Sequence, residues 1–363
     1  MSLQSGGDLK SGGQKAAIYV DHTHLGRHVT GLERITLELF SSDSLAPLSL
    51  TPVTSSGTAD LIFRQNVVLP AKLALDKKAL MLCPGFPPSY ALSRFGHRVI
   101  PYIHDLFLMT RSADLNPRAK LYMAPPFKRA VKILPRFLVN SQYTRDELRG
   151  FCREDAEILL YRPSVRNIFG LDDTLRDEPA SNKGPLRLIA LGTVEPRKNL
   201  AAAGAILEAL QANGHEGATL DIVGRFGWGD DVEQLQNTKG ITLHGYQSIE
   251  KTRELMARAD LFINTSHDEG LGLPLLEAQY AGLPVIAPNA AVFQEVLGSS
   301  GLFIDPASPL DTAGQIDALI ARPGWRSYYK QQAAGNLARW NDAAGQDRLE
   351  LIDKLDGILA KNS

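Results

Sequence analysis

The segment Asp268-Glu-Gly-Leu-Gly-Leu-Pro-Leu-Leu-Glu-Ala278 places two carboxylates, Glu269 and Glu277, eight positions apart with Gly270 and Gly272 between them. An ionised Glu only accepts hydrogen bonds, whereas a polyol is rich in donors, so such a pair suits the hydroxyls of a sugar. Pro274 fits a first helical position, which predicts a helix that starts near Leu273 and carries Glu277 in its opening turn. The loop Gly270-Leu271-Gly272 can then bring backbone N–H groups close to a ligand. Loop amides beside a helix N-terminus favour an anion such as phosphate. The same residues also read as a Gly-rich turn with two solvated glutamates.

A second segment, Gly192-Thr-Val-Glu-Pro-Arg-Lys-Asn199, supplies adjacent cations. Arg197 is a planar fork and Lys198 a point charge, and either can neutralise a diphosphate leaving group. Adjacent basic residues in a loop are also a common solvated surface. In the first half of the chain, Tyr102-Ile-His-Asp-Leu106 ends an apolar run at His104, and Thr30-Gly-Leu-Glu-Arg34 puts Gly31 at the start of a helical pattern. Asn140 to Leu148 reads as a strand end, a Ser/Thr cap and a helix with early acidic residues, which is structural. The glycines of Gly224 to Gly229 have the wrong spacing for a dinucleotide fingerprint.

Taken in order, these segments resemble glycosyltransferase family 4, whose members have the GT-B fold: two Rossmann-like, doubly wound parallel-sheet α/β domains with the active site in the cleft between them. The resemblance runs from about Ala16 to about Trp340 and rests on four motifs. Its Glu-x7-Glu motif implies that Glu269 contacts the transferred sugar and Glu277 the nucleotide ribose. Its Gly-x-x-Glu-Pro-Arg-Lys loop implies that Arg197 and Lys198 bind the diphosphate, although Thr193 stands where many relatives have Arg. His104 would lie beside the donor sugar, with Asp105 orienting the imidazole or the loop, and the other histidines are given no role. Gly31 would approach the diphosphate from the first domain, and Tyr246 falls where relatives hold the base.

The implied catalytic set is therefore His104, Arg197, Lys198 and Glu269. The donor-binding set is Gly31, Arg197, Lys198, Tyr246, Glu269, Gly270, Leu271, Gly272, Leu273 and Glu277. The resemblance implies retaining, metal-independent transfer with a nucleotide-diphosphate sugar as co-substrate and no other cofactor, and domain closure on donor binding. The motif variants look most like bacterial mannosyl- and rhamnosyltransferases of surface polysaccharide, so GDP-mannose is the first donor expected. UDP-glucose, UDP-GlcNAc and dTDP-rhamnose stay open. A nucleotide-sugar epimerase or phosphorylase of the same shape, a Rossmann oxidoreductase and a non-catalytic binding module are the competing readings.

The elements that must position these groups follow from hydrophobic period. Apolar runs near Ala16–Asp21, Arg98–His104 and Arg136–Asn140, and a second series starting near 186, 219, 241, 261, 284 and 302, alternate with helical patterns such as Gly31–Phe40. Strand-then-helix order predicts parallel sheets with chemistry at the strand ends. At 363 residues the chain exceeds what one core organises. The expected division is a flexible leader at 1–14, a first domain at 15–178, a second at 185–335 and C-terminal helices at 336–363 that cross back, with the linker between Leu171 and Gly184.

Composition excludes several classes. A formal net charge of -1 demands no nucleic-acid partner. Cys83 and Cys152 are too few for a disulfide framework or a zinc site, which fits a reducing cytoplasm. No run approaches the ~20 apolar residues of a bilayer span, and no secretory signal is visible. The stretch Arg118 to Arg136 carries Lys120, Lys128, Arg129 and Lys132 among apolar residues. It reads either as a solvated helix or as a membrane-surface face for a lipid-linked acceptor, at the inner side of the membrane. The acceptor, a glycan or a lipid-linked glycan, has no code in the first-domain loops.

Overall fold

The computed structural model describes residues 17–26, 31–111, 119–171, 184–228 and 231–362. The expected leader, nearly all of the expected linker, Thr30 and Gly229 lie outside these residues, as does the start of the basic stretch at Arg118.

The first half alternates β1 (Ile18–His22), α1 (Gly31–Leu39), β2 (Leu50–Thr54), α2 (Thr58–Phe63), α3 (Leu69–Leu75), β3 (Leu80–Cys83), β4 (Val99–Ile103), α4 (Phe107–Thr110), α5 (Ala124–Ile133), β5 (Arg136–Val139), α6 (Gln142–Arg149) and β6 (Glu157–Leu160). Its strands form one six-stranded parallel sheet in the order β2-β1-β3-β4-β5-β6. Every residue of β3 and β4 is buried. That is why these strands are short continuous apolar runs rather than alternating ones: helices cover both faces of a parallel sheet. Strands β2 and β6 lie at the two edges, where Pro52 is tolerated because an edge strand leaves N–H positions unpaired.

The second half runs through β7 (Arg187–Leu191), α7 (Leu200–Ala212), β8 (Thr219–Val223), α8 (Asp231–Asn237), β9 (Ile241–Gly245), α9 (Ile249–Arg258), β10 (Leu261–Ile263), α10 (Leu273–Gln279), β11 (Val285–Pro288), α11 (Ala291–Leu297), β12 (Gly301–Ile304) and α12 (Pro309–Ile320). Its sheet is also six-stranded and parallel, in the order β12-β11-β10-β7-β8-β9. Each apolar run of the second series is a strand of this sheet, with ends shifted by one residue at most positions.

Strand order reverses once in each sheet, between β1 and β3 in the first and between β7 and β10 in the second. At such a switch point the connecting helices diverge to opposite faces, and a crevice opens outside the carboxyl ends of the strands. His22 ends β1, His104 follows β4, Gly192 follows β7 and Asn264 follows β10, so the expected chemistry clusters at these two crevices.

The chain ends in one long helix, α13 (Trp325–Asn362), of 38 residues. It leaves the second sheet and reaches the first. Asp347 accepts from the Arg162 guanidinium at 2.8 Å, Lys354 pairs with Glu157 at the β6 edge, and Arg348 donates to the Ser44 carbonyl. Trp340, 1% exposed, donates its indole N–H to the Pro163 carbonyl at 3.0 Å. One buried cluster thus runs from Ile18 and Leu82 through Tyr161 and Trp340 to Phe262 and Leu275, joining both halves.

Candidate active site

The second-domain wall is built by two loops that strand pairing makes neighbours. β7 pairs with β10, so the loop after each leaves the sheet at the switch point. After β7, Pro196–Lys198 forms one turn of 3-10 helix that ends at Asn199 in the left-handed region, φ 49°. The Thr265 hydroxyl donates to the Asn199 carbonyl at 2.8 Å, and the His267 amide donates to the Arg197 carbonyl at 2.9 Å. These bonds hold the cation loop against the carboxylate loop.

Glu269 is the hub. Arg197 Nη1 donates to its Oε2 at 2.9 Å, Lys198 Nζ pairs with its Oε1, and the Ser266 hydroxyl donates to Oε1 at 2.9 Å. Arg197 also reaches Glu195 at 2.7 Å and the Asp268 carbonyl at 2.9 Å. Burial opposes ionisation of Glu269, but Lys198 and Arg197 outweigh it and hold the carboxyl down at about 2. A carboxylate so acidic is a poor proton acceptor at neutral pH, and it remains a strong hydrogen-bond acceptor. The two cations are thus committed to a buried carboxylate rather than lying free.

Gly272, at φ 81°, adopts the left-handed conformation that turns the loop into α10. Leu271 and Leu273 are 4% and 8% exposed, their side chains in the core, so only their backbone groups are offered to a ligand. α10 starts at Leu273 as expected, but Glu277 is its fifth residue and lies beyond the first turn, which holds no acidic residue. Glu277 is buried, and its partner comes from the other half of the chain: Arg34 of α1, 243 residues earlier. Burial pushes the Glu277 carboxyl up, Arg34 pulling against it.

On the first-domain wall, His104 Nε2 lies 2.7 Å from the Pro84 carbonyl. A carbonyl only accepts, so Nε2 carries the proton and Nδ1 is left as the ring's acceptor. Burial drives the imidazole down to about 4, so it is neutral at physiological pH. Asp105 does not touch that ring: its Oδ1 accepts from the Phe107 amide at 3.0 Å, so of its two expected roles it fills the one of shaping the loop. Burial raises the Asp105 carboxyl to about 6, with the Phe107 amide and Arg197 opposing and Asp268 and Glu269 adding to the rise. Gly31, the first residue of α1, faces open space.

The two walls touch. A Cβ on Gly270 would collide with the His104 carbonyl oxygen, so only glycine permits this approach. The Thr144 hydroxyl lies 3.2 Å from the Gly270 carbonyl and the Tyr143 hydroxyl 3.3 Å from Asp268. The Arg197 guanidinium sits 4.9 Å from the centre of the Phe107 ring. Arg197, Lys198, Glu269, Gly270 and His104 therefore form one cluster, and Glu277 joins the walls a second time through Arg34. Tyr246 is different: it is 69% exposed, stacked only under Arg225 at 5.2 Å, and outside the charged cluster among the described residues.

Two groups escaped the sequence reading. His22 and His24, which were given no role, are buried at the first switch point beside Asp21. His24 Nε2 lies 3.1 Å from the Thr36 hydroxyl, while its Nδ1 and His22 Nε2 have no partner among the described residues. The signal was their position after a β1 run in Asp21-His-Thr-His24. Arg34 carries no signal of its own within Thr30–Arg34; only its contact with Glu277, 243 residues away, reveals it. Among the described residues, no group of three or more His, Cys, Asp or Glu side chains is arranged to hold a metal ion.

Two six-stranded parallel sheets of this order, with their switch points facing, fit the two-domain α/β GT-B fold. Residues 172–335 match the model of the family described as glycosyl transferases group 1. The chain is 26% identical over 254 residues to O-antigen chain mannosyltransferase B of Escherichia coli, covering 66% of this chain and 65% of that one. It is 32% identical over 197 residues to the serotype-specific mannosyltransferase WbdA of Escherichia coli, covering 53% of this chain and 23% of the relative. The chain thus spans less than two thirds of either relative. The Anabaena protein HepE, solved in complex with UDP and glucose, superposes with a TM-score of 0.66 at 15% identity, covering 95% of this chain and 100% of that one.

Proposed function

We propose that the chain is a retaining hexosyltransferase that takes a sugar, mannose from GDP-mannose first, and passes it to a glycan or lipid-linked acceptor in polysaccharide assembly. The observation that carries this reading is the buried Glu269–Arg197–Lys198 cluster facing His104 across the cleft. The names of the mannosyltransferase relatives support the sugar. The UDP bound by a structural neighbour keeps UDP-glucose and UDP-GlcNAc in contention, with dTDP-rhamnose.

Breaking the donor's glycosidic bond builds positive charge on the sugar ring and negative charge on the departing phosphate. Arg197 and Lys198 stabilise that anion from a site that is already organised, which is commonly the largest catalytic term. Glu269 accepts from the sugar's hydroxyls and is too acidic to serve as a base. Neutral His104 offers Nδ1 to a sugar hydroxyl. Attack comes from the face the phosphate leaves, and the phosphate takes the acceptor's proton, so the anomeric configuration is kept. The cations occupy the role a metal would take, so we expect chelator to leave the rate unchanged.

No helix among the described residues is long and apolar enough to cross a membrane. Leu121 and Tyr122, 66% and 72% exposed, stand beside the exposed cations Lys120, Lys128 and Arg129, which supports a cytoplasmic protein that meets anionic lipid at the inner face. The reading is tested by a thermal-shift screen of nucleotide sugars followed by anomer-resolved NMR of the product. Stabilisation by one donor and an α product from an α donor are expected. Stabilisation by none, or an inverted product, would overturn it.

A further inference from the structure

Glu277 is a buried carboxylate paired with a cation of the other domain, Arg34 on α1. The arginine is itself half-satisfied: one Nη2 holds Glu277, while Nε is buried without a partner among the described residues. Arg197 and Lys198 are in the opposite condition, each committed to Glu269 and Arg197 to three acceptors. Among the described residues, Arg34 therefore keeps more unused donors than Arg197 or Lys198. Its side chain is 25% exposed and Glu277's 6%, so the arginine is the more accessible member of the pair.

We propose that Arg34 is a donor-binding residue that the first domain delivers to the diphosphate, held on Glu277 until the ribose takes that carboxylate. The proposal rests on reading Glu277 as the ribose contact. Ribose hydroxyls are donors and satisfy the acceptor-only carboxylate as the guanidinium does, so the exchange leaves no buried charge unpaired. The freed fork has the geometry to hold two phosphate oxygens at once, and its Nε then gains an acceptor. Because α1 belongs to the first sheet and the diphosphate rests on the second, the exchange draws the two halves together. Ribose and diphosphate recognition become coupled, the first half of the ligand releasing the cation that the second half uses.

Calorimetric titration of wild type, Arg34→Gln and Arg34→Lys with uridine, UDP, guanosine and GDP tests this. Gln keeps a donor for Glu277 and so preserves the fold while removing the charge. Arg34→Gln should bind the preferred nucleoside as well as or better than wild type, and its diphosphate about tenfold or more weaker, the scale of one charged hydrogen bond. Arg34→Lys should recover part of the diphosphate affinity. Equal losses for nucleoside and diphosphate in Arg34→Gln would make Arg34 a mere structural prop, and unchanged diphosphate affinity would remove it from the site. Wild type binding none of the four, and not dTDP either, would overturn the nucleotide reading itself, and the Arg34 role with it.

Discussion

Arg197 and Lys198 converge on the two oxygens of one buried carboxylate, so neither cation can be removed without altering the other's partner. Arg197→Ala or Lys198→Ala should raise the transfer barrier by about 2–4 kcal/mol, the cost of losing one stabilising donor at a developing oxyanion. Steady-state turnover measures it, and turnover near wild type in either variant would refute the assignment. Asp105 carries a pH signature. Its carboxyl titrates at about 6 in the folded chain, above its ordinary value of 3.8, so the folded state keeps a proton that the unfolded state has lost. The stability this group confers is complete below the unfolded value and is lost as pH rises through about 6. Asp105→Asn, which keeps the acceptor for the Phe107 amide, should match wild-type melting in acid and exceed it increasingly as pH rises, levelling off above that point. A difference that does not change with pH would contradict the buried carboxyl. Residue identities at this scale were legible where two chemistries sit side by side, as in Glu269 and Lys198. They were not legible for Asp105, because its partner is a backbone amide that carries no side-chain signature.

Helix α6 shows why element ends are harder to read than element centres. Its Ser141 cap was legible, and the structure has the Ser141 hydroxyl accepting from the Thr144 amide at 3.0 Å. The early acidic residues expected inside the helix are absent from its first turn. The carboxylate there comes instead from Glu295 of α11, which accepts from the Gln142 and Tyr143 amides at 2.7 and 2.8 Å. A helix N-terminus needs acceptors and negative charge, and it is indifferent to where in the chain they originate. Glu295→Ala should cost about 1 kcal/mol of stability, as a lost cap does. It should also expose the Gln142 and Tyr143 amides to hydrogen exchange while β5 stays protected. Unchanged exchange at those two amides would show that the contact has no energetic content. The second sheet was legible strand by strand, since its runs are separated by long helical patterns. In the first, β3 is four residues long and merges into the Cys83–Ser89 loop, β2 carries Pro52, and β6 is a half-buried edge, so each has too little apolar run to stand out.

At the scale of the molecule, the halves are welded at one side and merely in contact at the other. The weld is the Trp340 region, where the indole, Asn341 and Tyr280 all bond the backbone of Pro163 and Val165. Trp340→Ala should destabilise by about 3–5 kcal/mol in urea unfolding, the usual result of emptying a buried aromatic site. A loss under about 1 kcal/mol would mean that the crossing segment is held elsewhere. Among the described residues the cleft side is joined by polar contacts through Gly270, Asp268, Glu277 and Glu295 and by Arg197 on the Phe107 ring. It has no buried aromatic anchor like Trp340 among them, so it is the side at which the halves open.

The same weld sets the order in which the protein can be made. Ser44 meets Arg348 across 304 positions and Lys78 meets Asn362 across 284. At ~5–20 residues per second of synthesis, the first sheet, complete at Leu160, therefore waits on the order of 10–40 s before Arg348 of the helix that covers it is made. Throughout that interval the β6 edge and the apolar surface under α13 are exposed to solvent and to neighbouring nascent chains. Of the two sheets, the one translated first is the last to gain its covering helix.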